Sequence, residues 1–311
     1  MVIVVGSLNM DLVIRAPKIP RPGETVLGSD FRQVPGGKGA NQADAAAKLG
    51  AETAILGAVG RDSMGSTLVQ ALKMDGVKVD MVLEKEDLPT GVAAIVVEDS
   101  GNNAITVAPG ANSGLTPHDI SSMEGIFKGA KVMLVQLETP LDTVKRALQL
   151  ARENNVKTIL NPAPAMELDD EIFSLVDIMT PNETELEILS GMDTSDLDKV
   201  ERAGQHLLKK GVSRLIVTLG SQGSMDIVQD SATTYPAYKV KAVDTTAAGD
   251  SFNAALAVSI ANGESMEDSI RFATKVGAMT VTKHGAQTSL PLIGQVEEFE
   301  VWYEKMKLEE R

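Results

Sequence analysis

Short apolar runs alternate with helical periods along most of the chain. Residues 2–6, 53–59, 132–137, 158–161, 178–181 and 215–220 are rich in β-branched side chains and bounded by Gly, Pro or Asn, which predicts strands buried on both faces. Between them the apolar spacing becomes helical: residues 40–49 ending at Gly50, 65–74 ending at Gly76, 141–154, 183–189 ending at Gly191, and 197–210 ending at Gly211. Residues 265–282 and 296–307 read as further helices. Strands separated by helices imply right-handed βαβ units and an α/β fold with a mostly parallel sheet covered on both faces.

Two stretches break that rhythm. Residues 11–34 carry Pro17, Pro20 and Pro22 beside short alternating segments, and residues 91–107 read as a hairpin turning at Asp99-Ser100-Gly101. Both are expected to be antiparallel, and together they are material for a small lid. The expected division is an α/β domain of residues 1–10, 36–90 and 108–311, with a β lid of residues 11–35 and 91–107. A chain of 311 residues suits one large α/β unit with such an excursion.

Composition narrows the function. Net charge is −14 and the basic residues are dispersed, so there is no electrostatic footprint for nucleic acid or an anionic membrane, and any phosphate must be held locally. The absence of cysteine removes disulfides, thiolate nucleophiles and cysteine zinc sites. His118, His206 and His284 have no metal-ligand spacing and are expected at the surface or at helix caps. The opening VIVVG reads as a strand without an apolar run long enough for export, so a cytoplasmic enzyme is expected.

The most suggestive chemistry lies in VDTTAAGDSFNAAL, residues 243–256. A strand end and a run of small residues lead into a buried helix, with Phe252, Leu256 and Ile260 at four-residue spacing and a stop at Asn262-Gly263. Such a junction presents unpaired N–H groups and the positive end of a helix dipole to an anion, with Asp250 in the first turn, where an acid also simply complements the dipole. GGKGAN at 36–41 is neither a P-loop nor a dinucleotide fingerprint. Its glycines permit close approach to a small ligand, with Lys38 and Asn41 as donors, or form a tight strand-to-helix turn. TLGSQGS at 218–224 either cradles phosphates or reverses a hairpin.

Suggestive residues follow strand ends repeatedly: Asn9 and Asp11, Glu138, Asn182 and Glu185, Gly220 and Gly223, Asp244 and Asp250. Ligands of open α/β sheets bind beyond the carboxyl ends of the strands, so one shared cleft is expected. Asn9 and Asp11 suit neighbouring hydroxyls of a polyol, and equally suit a turn.

GSLNMD at 6–11, GGKGANQA, NPAP at 161–164, TPNETELE at 180–187, TLGSQGS, VDTTAAGDSFN and GAQTSLP at 285–291 occur in that order and together resemble the PfkB family of carbohydrate kinases. The resemblance implies a three-layer sandwich, in which a central, mostly parallel sheet lies between helices and a small β-sheet lid covers the sugar site and forms a homodimer interface. It also implies ATP-dependent phosphorylation of D-ribose at O5, giving D-ribose 5-phosphate and ADP; a deoxy sugar, a keto-sugar or a nucleoside is the alternative acceptor. By position, Asn9, Asp11, Gly37, Lys38, Asn41 and Glu138 match sugar-site residues, and Asp250 matches the catalytic base. Ala247, Ala248 and Gly249 match the anion hole. Asn182 and Glu185 match an element associated with Mg²⁺ and phosphate, and Thr218, Gly220, Ser221 and Gly223 match the nucleotide loop. Asp244 and Thr246, with Thr280, Lys283, Gly285 and Ser289, match an activating K⁺ site. Thr274 stands where members often carry His or Asn near adenine, a departure that bears on nucleotide preference.

Overall fold

In a computed structural model, residues 1–309 are described. The strands are β1 (Val2–Val5), β2 (Asn9–Ala16), β3 (Asp30–Gly36), β4 (Thr53–Gly60), β5 (Lys78–Lys85), β6 (Gly91–Glu98), β7 (Asn103–Ala108), β8 (Val132–Val135), β9 (Lys157–Leu160), β10 (Ile178–Met179), β11 (Arg214–Thr218), β12 (Ser224–Val228) and β13 (Ser231–Tyr235). The helices are α1 (Lys38–Lys48), α2 (Ser63–Met74), α3 (Pro117–Ser122), α4 (Leu141–Glu153), α5 (Asp170–Leu175), α6 (Glu183–Ser190), α7 (Leu197–Lys209), α8 (Ala248–Asn262), α9 (Met266–Thr280), α10 (Ile293–Glu297) and α11 (Phe299–Glu309).

Nine strands form the large sheet in the order β13-β12-β11-β10-β9-β8-β1-β4-β5, parallel from β11 to β5, with β12 and β13 added antiparallel at one edge. All four residues of β1 are buried because both faces are covered: Val2 and Val4 enter one apolar cluster with α1, α8 and α9, while Ile3 and Val5 enter the other with α4 and α7. All six expected strands are present. The pattern missed β5, which mixes charged with apolar positions at a sheet edge, and the short β12 and β13, of which β12 breaks its apolar positions with Ser224 and Asp226 and β13 is mostly Ser, Ala and Thr. The helix expected over 296–307 is broken between α10 and α11, where fully buried Phe299 turns in to meet the Tyr238 ring 4.5 Å away.

The small sheet has the order β3-β2-β6-β7. Each expected excursion is antiparallel within itself, and the two join through a parallel pairing of β2 with β6, where Asn9 lies opposite Gly91. That join puts the root of the small sheet beside the carboxyl end of β1.

Candidate active site

The chain order of the large sheet reverses between β1 and β8, and the reversal opens a crevice at the carboxyl ends of those strands. Glu138, after β8, accepts from the Ser7 hydroxyl and, at 3.2 Å, from the Lys38 backbone N–H at the start of α1. A carboxylate at a helix N-terminus is favourable, and here it ties both sides of the crevice together. The glycines of 36–41 make the tight strand-to-helix turn, with neighbouring chain packed closely against them. Gly37 has φ of +93°, and a Cβ on Gly39 would lie 2.5 Å from the Gly6 carbonyl carbon and the Ser7 nitrogen. This contact brings Lys38 and Asn41 to the crevice.

Asp250 arrives from α8. Ala247 turns left-handed at φ of 60°, and Ser251 N–H closes the first bond of the helix onto the Ala247 carbonyl at 2.8 Å. The amides of Gly249 and Asp250 precede that bond and have no backbone acceptor. A Cβ on Gly249 would meet nothing within 4 Å, so the fold itself does not require glycine there. Asp250 is 8% exposed; its Oδ2 accepts from Asn41 Nδ2 at 2.9 Å and its Oδ1 from Gln42 Nε2 at 3.0 Å. Asn41 Oδ1 is buried without a partner, an acceptor awaiting a donor.

Charges are concentrated here. Burial pushes the Asp11 carboxyl up to about 7, reinforced by Glu138 and Asp250 and opposed by Lys38. Burial would lower the Lys38 ammonium, but Asp250, Glu138, Glu185 and Asp11 outweigh it and hold it above its ordinary value. Burial likewise raises Glu185. Four carboxylates facing one ammonium make the cleft net negative, so a polyphosphate entering it requires a cation.

Several contributing residues were not singled out by the sequence. Asn112 accepts from Leu8 N–H at 2.9 Å through Oδ1, and its Nδ2 donates to the Leu8 carbonyl at 3.1 Å and to Asn9 Oδ1 at 2.8 Å. Asn9 is thereby left with its amide N–H groups to offer. Gln42 also donates to Asn161 at 3.2 Å and accepts from Gln136 at 2.6 Å. Gln42 directly follows Asn41 and Gln136 precedes Glu138 by two, a proximity that could have drawn attention to both; Asn112 carries no such signal.

Asn182 and Glu185 form a reciprocal capping box on α6: Asn182 Oδ1 accepts from Glu185 N–H at 2.8 Å and Glu185 Oε2 from Asn182 N–H at 2.9 Å. The adjoining segment 218–224 reverses the β11–β12 hairpin, the second of its two readings, with Thr218 bridged to Asn182. Gly223, at φ of +106°, would drive a Cβ within 1.9 Å of the Tyr235 carbonyl oxygen, whereas Gly220 and Ser221 face open space and solvent. Thr274 lies on α9, its hydroxyl donating to Ile270 O at 2.8 Å.

Asp244 ties two loops together, accepting from Thr246 N–H through Oδ1 and from Gly285 N–H through Oδ2, each at 2.9 Å. Burial opposes ionisation of Asp244, but these bonds hold its carboxyl below the usual range. The hydroxyls of Thr280 and Ser289 donate to Val276 O and Ala286 O, leaving their acceptor lone pairs, and Lys283 N–H donates to Thr280 O at 3.2 Å. Among the described residues no trio of His, Asp or Glu could hold a metal, and no helix is long and apolar enough to cross a membrane. The three histidines are exposed.

A sequence model of the pfkB family of carbohydrate kinases matches residues 1–293. The chain belongs to the pfkB family of carbohydrate kinases. This family member is 41% identical over 296 residues to a ribokinase of Haemophilus influenzae, covering 95% of this chain and 97% of the relative. It is 36% identical over 297 residues to a deoxyribokinase of Salmonella typhi, covering 95% and 97%. Among solved structures, that of Arabidopsis thaliana ribokinase complexed with ribose and ATP superposes with a TM-score of 0.91 at 33% identity, covering 96% of this chain and 97% of that one.

Proposed function

We propose that this kinase transfers the γ-phosphoryl group of ATP to O5 of D-ribose, giving D-ribose 5-phosphate and ADP. The observation that carries the reading is the buried carboxylate of Asp250, beside unpaired amides at the start of α8 and facing Lys38 and Asp11. Asp250 takes the O5 proton as the new O5–phosphorus bond forms and the bond from the γ-phosphorus to the β,γ-bridging oxygen breaks. Ala247, Ala248 and Gly249 form the anion hole that receives the charge on the transferring group. The unpaired amides of Gly249 and Asp250 and the open space at Gly249 support that role, while the Ala248 N–H donates to Thr245 O at 3.2 Å and would have to exchange that acceptor for phosphate. Asn9, Asp11, Gly37, Lys38, Asn41 and Glu138 hold the sugar; the free amide of Asn9 and the unpaired Oδ1 of Asn41 supply a donor and an acceptor for its hydroxyls.

Asn182, Glu185, Thr218, Gly220, Ser221, Gly223 and Thr274 line the nucleotide side. Mg²⁺ fits a site that offers one carboxylate, Glu185, and leaves the other ligand positions to phosphate and water; when bound it neutralises phosphate charge. The oxygen donors of Asp244, Thr246, Thr280, Lys283, Gly285 and Ser289 suit K⁺, which would steady the loop leading into α8. The small sheet acts as a lid and as the interface of a homodimer, supported by exposed Phe31 and Ile105 on its outer strands. ADP release measured across ribose, deoxyribose, fructose and adenosine tests the substrate. Ribose is expected to give the highest kcat/KM; the similarity to a deoxyribokinase makes deoxyribose the second reading, adopted if it outpaces ribose.

A further inference from the structure

The two oxygens of Asp250 are held by different kinds of partner. Asn41, on Oδ2, is slightly exposed and has an unpaired Oδ1, so it belongs to the cleft. Gln42, on Oδ1, is fully buried and belongs to the interior. Its Nε2 also reaches Asn161 Oδ1, and its Oε1 receives Gln136 Nε2 at 2.6 Å. Gln136 is fully buried as well and occupies the space that glycine leaves at position 6, where a Cβ would fall 2.1 Å from Gln136 Oε1. The donors run one way, from Gln136 to Gln42 to Asp250. Turning the Gln42 amide over would set oxygen against oxygen at Asp250 and at Asn161, and N–H against N–H at Gln136.

We propose that Gln42 is a positioning residue: it fixes Oδ1 of Asp250 and so reserves Oδ2 as the oxygen that accepts the proton of the sugar hydroxyl. The inference rests on Asp250 being the base. A buried neutral donor favours the ionised carboxylate without adding charge and fixes its plane before substrate arrives. Asn41 can then turn to the sugar while Oδ1 stays held. The charged groups that face Asp250 come from other positions: Lys38 on α1, Asp11 on β2 and Glu185 on α6. None of them is hydrogen-bonded to Oδ1.

The test compares Gln42→Met, of similar length but without donors, with Gln42→Glu, which replaces the donor by a charge, reading kcat, KM for ribose, the pH profile of kcat and thermal melting. In Gln42→Met, kcat should fall about ten- to a hundredfold while KM for ribose changes by less than about threefold. The acid limb of the profile should move to higher pH, because a carboxylate that loses a donor protonates more readily, and it should move further in Gln42→Glu. Gln136→Met, which only frees the Gln42 amide to rotate, should move the limb the same way by less, and is decisive should either Gln42 variant fail to fold. A side chain that merely filled space would lower the melting temperature and leave the acid limb in place; that result, or an unchanged kcat, overturns the proposal. Asp250→Asn run alongside separates the two ideas: retained turnover there defeats the base reading, whereas lost turnover with an unmoved limb in the Gln42 and Gln136 variants defeats only the positioning.

Discussion

Gly39 and Gly249 are each the second residue of a helix, in two runs of small residues that look alike in the sequence, yet their surroundings are opposite. A Cβ on Gly39 would strike backbone atoms of Gly6 and Ser7 at 2.5 Å; a Cβ on Gly249 would meet nothing within 4 Å. One glycine is there because another stretch of chain occupies the space; the other stands in open space, as the proposed anion hole requires. The difference teaches that small residues at a helix start identify a ligand site only when the fold leaves them uncrowded.

The largest effect expected on the open side comes from Asp250, whose own amide is one of the unpaired pair. Asp250→Asn keeps size and packing but loses the basic lone pair, so kcat should fall by about 10²–10⁴-fold or more while ribose affinity, measured by calorimetry, changes little. The glycine pair itself comes next. Gly249→Val should cost about a hundredfold or more in kcat, as expected for blocking an anion-stabilising amide, with little change in melting temperature. Gly39→Ala should do the reverse, losing about 1–3 kcal/mol of stability through forced backbone shifts. If both substitutions acted through stability alone, the contrast would collapse.

A smaller effect is expected at Asp11, where Asp11→Ala should lower kcat/KM for ribose about ten- to a hundredfold through loss of a charge-assisted hydrogen bond. Because its carboxyl is pushed up to about 7, it must ionise to accept hydroxyl protons, so ribose affinity should rise as pH climbs through 7. The free protein should show the opposite trend: a raised carboxyl contributes stability while protonated, and this is lost between the ordinary carboxylate range and 7. Asp44 is also pushed up to about 7, so Asp11→Asn, which should flatten the affinity profile while leaving the share of the stability profile that Asp44 contributes, separates the two groups. The smallest effect concerns the loop that Asp244 ties ahead of α8. At fixed ionic strength and saturating Mg-ATP, K⁺ should exceed Na⁺ in initial rate by about fivefold or more, and equal rates would remove the loop from the account.

Much of the site was legible because its residues follow strand ends, where an α/β sheet gathers them into one crevice. The parallel core was legible for a related reason: strands buried on both faces read as unbroken apolar runs. What stayed hidden depends on pairs that no local pattern links. Gln42 and Asp250 are 208 positions apart, Ser7 and Glu138 are 131 apart, and Asn112 and Asn9 are 103 apart. Register between β2 and β6 is of the same kind, set by where the root of one excursion meets the other. At Asn182 and Glu185 the sequence carries a second signal, because Asn followed three residues later by Glu is also the signature of a helix cap.

Asn112 grips Leu8 by both its N–H and its carbonyl where β1 hands over to β2, so any swing of the small sheet has its pivot there. The eight residues of β2 form an arm from that pivot, at roughly 3.3 Å per residue. In such a swing Asn9, at the root and held by the same Asn112, would move least, and the far end of the arm would sweep widest. If the small sheet closes over the proposed sugar site, Asn9 would act as the fixed post and Asp11 as the one that comes down with the arm.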